Sequence, residues 1–392
     1  MSEGRCILFT AFEPSGDEHA APVIAELRRM RPETPIYALG GRRMAEAGAT
    51  MIEQSTARPT MFLDSLAKIT SHRRMMKRLG AWLDDHRVAV HVPTDSPAAN
   101  WGICKMVKRR WGSAGAKVAH LVAPQVWAWA SWRVGRLRRW SDMVMCVLPF
   151  EPAWFAKRGV RARFIGHPLF NRPLDEAELN WQAMSYATGS PKLALLPGSR
   201  PAELKKNWPI IREVFDRLVA KYPRAQGLVP AADGNAARWL KERAGSWPVN
   251  LKMVEHQTDA ALHWCDAALA VSGTVTLHVA RHGKPMVILY QISPWVWYLV
   301  GRWMMRARTF TLPNLIAVGE PKHGDEGHVV REFIPFWGDV GPIADEMSGL
   351  IDDGEKRNTQ LVAMNNITSL FTNHDAGREA AAIVAELAGG EG

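Results

Sequence analysis

The chain has 392 residues, 47% hydrophobic and 22% charged, with 49 Lys and Arg against 39 Asp and Glu for a net charge of +10. These values exclude a disordered chain and leave room for two domains with cores of their own. The positive balance favours anionic partners, but charge alone does not choose among nucleotides, phosphorylated substrates, an acidic membrane surface and nucleic acid.

In chain order, apolar runs at 7–11, 36–39, 88–92, 118–122 and 143–148 alternate with amphipathic stretches such as 20–30 and 66–83. This is the pattern of βαβ units around a parallel sheet. A second series follows at 193–196, 227–229, 251–254, 267–271 and 286–289, most of them trailed by a helix. The expectation is two doubly wound domains, 1–170 and 188–364, with a proline-bearing junction at 167–192 and a ligand cleft between the halves. Segment 365–392 is expected to pack back across both domains, with a final helix at 375–387 that stops at Gly389-Gly390. Cys6, Cys104, Cys146 and Cys265 are far apart and mostly beside apolar runs, which reads as reduced core thiols in the cytosol without metal-ligand spacing.

Export is not indicated, because 6–11 is too short for a signal core and runs into Glu13-Pro14-Ser15-Gly16-Asp17. The most apolar segment, 294–305, holds Trp295, Trp297 and Trp303 but also Arg302, and is too short to span a bilayer. Surface attachment remains open. Met61-Phe62-Leu63, Leu66, Ile69, the basic run from His72 to Arg78 and Trp82-Leu83 combine large apolar residues with a basic face that suits an anionic interface, and equally suits a helix packing inward. The basic clusters at 105–111 and 133–140 carry no helix-turn-helix, RNP or zinc signature, so nucleic acid is not a favoured partner.

Candidate chemistry lies in the turns after the strands, where open α/β sheets gather ligands. In Ser272-Gly273-Thr274 a buried strand breaks into a helix, which offers amides, two hydroxyls and close approach to a diphosphate. A purely structural turn explains those three residues about as well. The other turns are Glu13 to Asp17, Gly40-Gly41-Arg42, Thr94-Asp95-Ser96-Pro97, Ala123-Pro124-Gln125-Val126-Trp127-Ala128-Trp129, Leu148-Pro149-Phe150-Glu151, Gly166-His167-Pro168, Pro197-Gly198-Ser199-Arg200 and Leu312-Pro313-Asn314.

Together and in this order, these motifs resemble the lipid-A-disaccharide synthase family, GT-B glycosyltransferases built from two Rossmann-like domains that face a cleft. The resemblance implies transfer of 2,3-diacylglucosamine from UDP to 2,3-diacylglucosamine 1-phosphate, forming the β-1,6 disaccharide with inversion. No cofactor or metal is implied, since the UDP-sugar is a substrate. The implied partners are those two acylated sugars and the anionic inner face of the cytoplasmic membrane, with a homodimer as a further option.

By position, Asp95 matches the general base for the acceptor hydroxyl, with Glu13 and Arg200 beside it as catalytic groups. The donor side is implied to be Ser199, Arg200, Ser272, Gly273, Thr274, His278, Asn314 and Glu332. The acceptor side is Ser15, Asp17, His120, Gln125 and Trp127. Structural alternatives stand for several: Asp95 as a turn cap, Ser15 and Asp17 as caps of the helix holding His19, Trp127 and Trp129 as packing residues. The chain departs from the family's pattern at Phe12, Ala98, Ala99, His278 and Pro335. His278 replaces a glutamate that can accept from ribose hydroxyls. A related enzyme with another UDP-sugar or lipid acceptor, or a non-catalytic paralogue binding lipid or nucleotide, is therefore also consistent.

Overall fold

In the computed structural model, residues 5–55, 65–128, 131–298, 309–320 and 325–389 are described, without the side chains of 65–71 and 296. Met61, Phe62, Leu63, Trp129, Arg302 and Trp303 lie outside the described residues. The chain divides into two compact units, one of 1–171 with 373–392 and one of 172–372.

The first unit is a seven-stranded parallel sheet in the order β3-β2-β1-β4-β5-β6-β7. Its strands are β1 Cys6–Thr10, β2 Ile36–Gly40, β3 Thr50–Gln54, β4 Val88–Pro93, β5 Lys117–Leu121, β6 Met143–Cys146 and β7 Ala162–Phe164. The second is a six-stranded parallel sheet in the order β10-β9-β8-β11-β12-β13, from β8 Lys192–Leu196, β9 Gln226–Ala231, β10 Leu251–Glu255, β11 Ala267–Val271, β12 Met286–Leu289 and β13 Glu332–Phe333. The central strands β1, β4, β8, β11 and β12 are buried almost throughout. Covered on both faces, they read in sequence as near-continuous apolar runs.

The helices follow the same logic. In α3, Ser65–Asp85, the buried residues Met75, Leu79 and Leu83 recur every four residues and join the core with Leu8, Leu39 and Ile103. That half of the amphipathic stretch packs inward, while His72, Arg73, Arg74 and Lys77 stay exposed. The four cysteines are all buried, and burial pushes the Cys104 and Cys265 thiols up to about 12. No described helix is long and apolar enough to cross a membrane.

The boundaries differ from the expected ones in two places. Segment 171–187, read as junction, contains α7 Glu176–Met184, which Asp175 caps by accepting from the Glu178 amide and which packs on α10 Thr258–Trp264 of the second unit. A short helix with few apolar residues looks like a linker until its partner is known. At the other end, helix Gly354–Ser369 belongs to the second unit, and helix Ala376–Gly389 packs on α1 Pro14–Met30, β4 and β5 of the first. Segment 365–392 is thus two helices with different hosts, because the polar turn around Asn373 separates them.

Gln360, buried in helix Gly354–Ser369, accepts from the Met286 amide at 2.7 Å and donates to its carbonyl at 3.1 Å, acting as a side-chain substitute for a neighbouring strand. Gln360→Leu strands both groups in the core, and thermal or urea unfolding of the whole chain should register a loss of about 2–4 kcal/mol.

Candidate functional site

Each sheet reverses its winding once, between β1 and β4 in the first unit and between β8 and β11 in the second. Helices leave to opposite faces there, and the carboxyl ends of the two strands stay uncovered. Both clusters of candidate residues fall at these reversals.

In the first unit the loops after β1 and β4 touch. Gly16 makes this possible: a Cβ on it would stand 2.9 Å from Ala11 Cβ and 3.2 Å from the Thr94 carbonyl. Ser15 Oγ donates to Asp95 Oδ2 at 2.6 Å. Asp95 and Ser96 both take left-handed backbone angles, φ +51° and +36°, and Val122 after β5 does the same at +62°. For a β-branched residue this is strained, and such strain needs over-determination by its surroundings. Asn100 supplies it for Asp95. Its amide donates to the Asp95 carbonyl at 3.0 Å, while its Oδ1 accepts from Thr10 Oγ1 at 2.6 Å. Thr10 has one proton, so its hydroxyl must accept at 2.8 Å from His91, which therefore carries its hydrogen on Nε2. The buried series His91, Thr10, Asn100 thus fixes the turn that presents the Asp95 carboxylate.

The remaining first-unit candidates separate. Glu13 is exposed at the start of α1. Asp17 is buried and its carboxylate accepts from the amides of Gly41, Arg43 and Met44, so it caps α2 Arg42–Glu46 rather than its own helix. Gln125 is exposed. Trp127 is buried, donates its indole N–H to Glu151 at 2.9 Å and meets Phe150 edge-on, an anchored packing residue. Glu151 is also buried, accepts from the Leu148 amide, and burial raises its carboxyl to about 7. His120, expected on an acceptor wall, is fully buried on β5, and among the described residues neither ring nitrogen has a hydrogen-bond partner. Burial holds His91 down to about 3 and His120 to about 4.

In the second unit one hollow of about 350 Å3 brings together the loops after β8 and β11. Ser199 and Arg200 line it from one side, Ser272, Gly273 and Thr274 from the other, and Thr258 closes an end. Arg200 and the 272–274 loop therefore belong to one unit. Gly273 has φ +148° and open space where a Cβ would be, so the backbone there is bare toward the hollow. The Arg200 side chain is 80% exposed, and its closest carboxylate is Glu203 at 3.5 Å, the residue whose Oε2 also faces the Ser199 and Arg200 amides. An exposed guanidinium fork that lines the same hollow as two hydroxyls suits a diphosphate.

Asn314 and Glu332 lie elsewhere in this unit's framework. Asn314 is fully buried, donating to Glu332 Oε1 and the Val330 carbonyl and accepting from the Val329 and Val330 amides. Glu332 also accepts from the amides of Phe310 and Thr311, and Ser272 Oγ donates to the Phe310 carbonyl at 2.9 Å. The pair holds segment 310–311, which holds Ser272. With its amide fully used, Asn314 has a supporting role instead of direct donor contact. His278 lies one turn beyond Thr274, facing Asp259 at 3.4 Å.

Sequence reasoning overlooked Asn100, although it closes the Asp95-Ser96-Pro97 motif, because Ala98 and Ala99 interrupt the pattern between them. Thr10 and His91 gave no signal, since each is one polar residue inside a strand.

The buried histidines set a pH signature. His120 bound in its neutral form has a folded value near 4 against 6.5 when unfolded, so the unfolded chain takes up the extra proton. Stability from this group is complete above pH 6.5 and falls by about 3 kcal/mol as pH drops to 4. Glu151 acts oppositely, weakening the fold as pH rises from about 4.5 to 7. His120→Leu should reduce the acid-side loss of melting temperature between pH 6.5 and 4 by about half, the remainder coming from His91, and leave the other limb as in the parent.

Residues 7–385 match the model of the family described as Lipid-A-disaccharide synthetase. The lipid-A-disaccharide synthase of Anaeromyxobacter sp. (strain K) is 32% identical over 366 residues, 92% of this chain and 92% of that protein. Among solved structures, the glycosyltransferase of kitacinnamycin gives a TM-score of 0.58 at 15% identity, covering 99% of this chain and 100% of its own. UDP-GlcNAc 2-epimerase from Neisseria meningitidis, bound to UDP-GlcNAc, gives 0.61 at 13% identity, with 98% of each chain covered. These two likenesses are of fold.

Proposed function

The chain belongs to the lipid-A-disaccharide synthase family, and from that premise we propose how its two units divide the reaction. It is a glycosyltransferase of GT-B architecture acting in lipid A disaccharide synthesis. The donor is 2,3-diacylglucosamine carried on UDP, and the acceptor is the 6-hydroxyl of 2,3-diacylglucosamine 1-phosphate.

The observation that carries the donor assignment is the hollow at the β8/β11 reversal, where Arg200, Ser199 and the 272–274 loop converge. Arg200 meets the diphosphate as it departs, neutralising charge that grows while the bond between the anomeric carbon and the phosphate oxygen breaks. Asp95 takes the proton of the acceptor hydroxyl, whose oxygen forms the new bond to the anomeric carbon from the face opposite UDP. One displacement with one base inverts that centre. Ser15 holds the carboxylate, and Asn100 holds the turn that carries it through the Asp95 carbonyl. Glu13, exposed beside Ser15, and Gln125 line the acceptor side.

A second reading, a related GT-B transferase with another UDP-sugar or lipid acceptor, draws on His278 and Ala98 standing where the family has acids. Turnover distinguishes them. Purified full-length chain given UDP-diacylglucosamine and the 1-phosphate acceptor should release UDP; turnover only with a different UDP-sugar selects the second reading. Asp95→Asn should lower turnover on the order of 100-fold with UDP affinity nearly unchanged, and Arg200→Ala should weaken UDP binding about tenfold by calorimetry. Near-normal activity of Asp95→Asn removes the base assignment, and absent UDP binding at millimolar concentration removes the donor assignment.

Acylated substrates place the enzyme at the cytoplasmic face of the membrane as a peripheral protein. The exposed Arg73, Arg74 and Lys77 of α3 support this, each contributing about 1 kcal/mol near an anionic surface. Sedimentation with phosphatidylglycerol vesicles should fall markedly in an Arg73→Gln, Arg74→Gln, Lys77→Gln variant and in high salt, and be negligible with neutral vesicles.

A further inference from the structure

The end of the first sheet opposite to Asp95 carries a concentration of positive charge that the reaction does not use. The Asp95 amide donates to the Leu121 carbonyl at the carboxyl end of β5, at 3.2 Å, whereas Lys117 opens that strand four residues earlier, about 13 Å away. Beside Lys117, the amino ends of β6 and β7 border a hollow of about 280 Å3. Arg138, from helix Val134–Trp140, and Arg161, the residue before β7, line it together with Lys117. Val160 and Leu387 add apolar lining, Leu387 coming from the terminal helix Ala376–Gly389.

These cations lack a counter-charge from the chain. The carboxylate that lines the hollow, Asp142, is already taken, since its Oδ2 meets Lys108 Nζ at 2.5 Å and accepts from the Val118 amide at 2.7 Å. Glu386, next to Leu387, faces Arg163 at 3.4 Å instead. Among the described residues no carboxylate pairs with Lys117, Arg138 or Arg161. Like charges gathered on one concavity focus their potential into it, which draws in an anion. A second observation is independent of charge: Ser141 Oγ, in the same lining, is shielded from solvent and has no hydrogen-bond partner among the described residues. An acceptor oxygen in the hollow would satisfy it.

We propose that this hollow is a binding site for a phosphate monoester, held by the guanidinium forks of Arg138 and Arg161, the Lys117 ammonium and the Ser141 hydroxyl. A monoester carries about 1.5 to 2 negative charges at neutral pH, which answers three cations better than the single charge of a carboxylate. Its oxygens accept from planar forks and from a hydroxyl alike. The hollow is larger than a phosphate group, so the monoester brings a small body with it, either a free phosphorylated compound or the headgroup of a phospholipid. The length of β5 separates this site from the turn at Asp95, and it belongs to the unit without the Arg200 hollow, so it stands apart from both ends of the transfer reaction.

Calorimetric titration of the full chain with glycerol 3-phosphate at fixed ionic strength tests it. The parent should bind with a Kd of about 1 mM or below. Arg138→Gln combined with Arg161→Gln should weaken binding about tenfold and Ser141→Ala about threefold, with melting temperatures unchanged, while Arg200→Ala binds as the parent does. Absence of binding at about 10 mM overturns the site, as does binding that survives the double substitution. Loss of binding in Arg200→Ala also overturns it, since the phosphate then sits in the hollow of the second unit. Acetate should compete at least about tenfold more weakly than inorganic phosphate; equal competition leaves a basic surface without preference for a monoester and overturns the proposal. Vesicles of phosphatidylcholine with phosphatidic acid identify the source of the phosphate. Sedimentation that glycerol 3-phosphate reduces and the double variant lacks assigns the site to a lipid headgroup, whereas sedimentation insensitive to both assigns it to a free phosphorylated compound.

Discussion

The reversal of winding within each sheet is the constraint on which the chemistry depends. A parallel strand must be followed by a crossover, and crossovers of one hand place successive helices on one face of the sheet. Where the order turns back, at β1 beside β4 and at β8 beside β11, neighbouring strands send their helices to opposite faces and leave backbone ends without cover. Water or a ligand must satisfy those ends. The first unit fills its reversal with a carboxylate in an uncommon backbone conformation, Asp95, and the second with a bare loop, two hydroxyls and a guanidinium. One topological rule thus serves a proton acceptor in one half and an anion site in the other.

The first reversal is rigid in a way the second is not. Around Asp95, partners are short and buried: Ser15 at 2.6 Å, then Asn100, Thr10 and His91 behind it. Neutral imidazoles in such a place help because they fill space and donate single hydrogen bonds without adding charge beside the carboxylate. Around Gly273 the supports are one step removed, through Ser272 to segment 310–311 and from there to Glu332 and Asn314. Arg200 projects into solvent with only a 3.5 Å neighbour. A base must be oriented before its proton arrives, whereas a cation that follows a leaving diphosphate benefits from reach.

Much of this was legible in the amino-acid order. Central strands such as 193–196 and 267–271 are apolar throughout because both faces are covered, so periodicity found them. Edge strands escaped for the converse reason: β3, Thr50–Gln54, is exposed at both ends, and β13 has two residues, so neither shows an apolar run. Loop motifs marked Asp95, Ser15, Arg200 and Gly273, since the strand-end positions of an open sheet are where such residues have something to do. Contacts between distant segments were invisible. Nothing in the spacing told that Asp17 would cap α2, that Glu151 would anchor Trp127, or that Asp259 and His278 would meet, because each depends on how two helices or loops pack rather than on local order.

The last helix, Ala376–Gly389, belongs to the first unit although 201 residues of the second, 172–372, intervene. During synthesis the side of α1 on which this helix packs has to wait until residues 376–389 are made. At about 5–20 residues per second the ribosome takes on the order of 10–40 s to deliver it. For that interval the first unit keeps one seam open while the second is being made, and only six residues separate the second unit's last helix from the one that closes the seam. The connectivity thus makes closure of the outer half wait on synthesis of the inserted one.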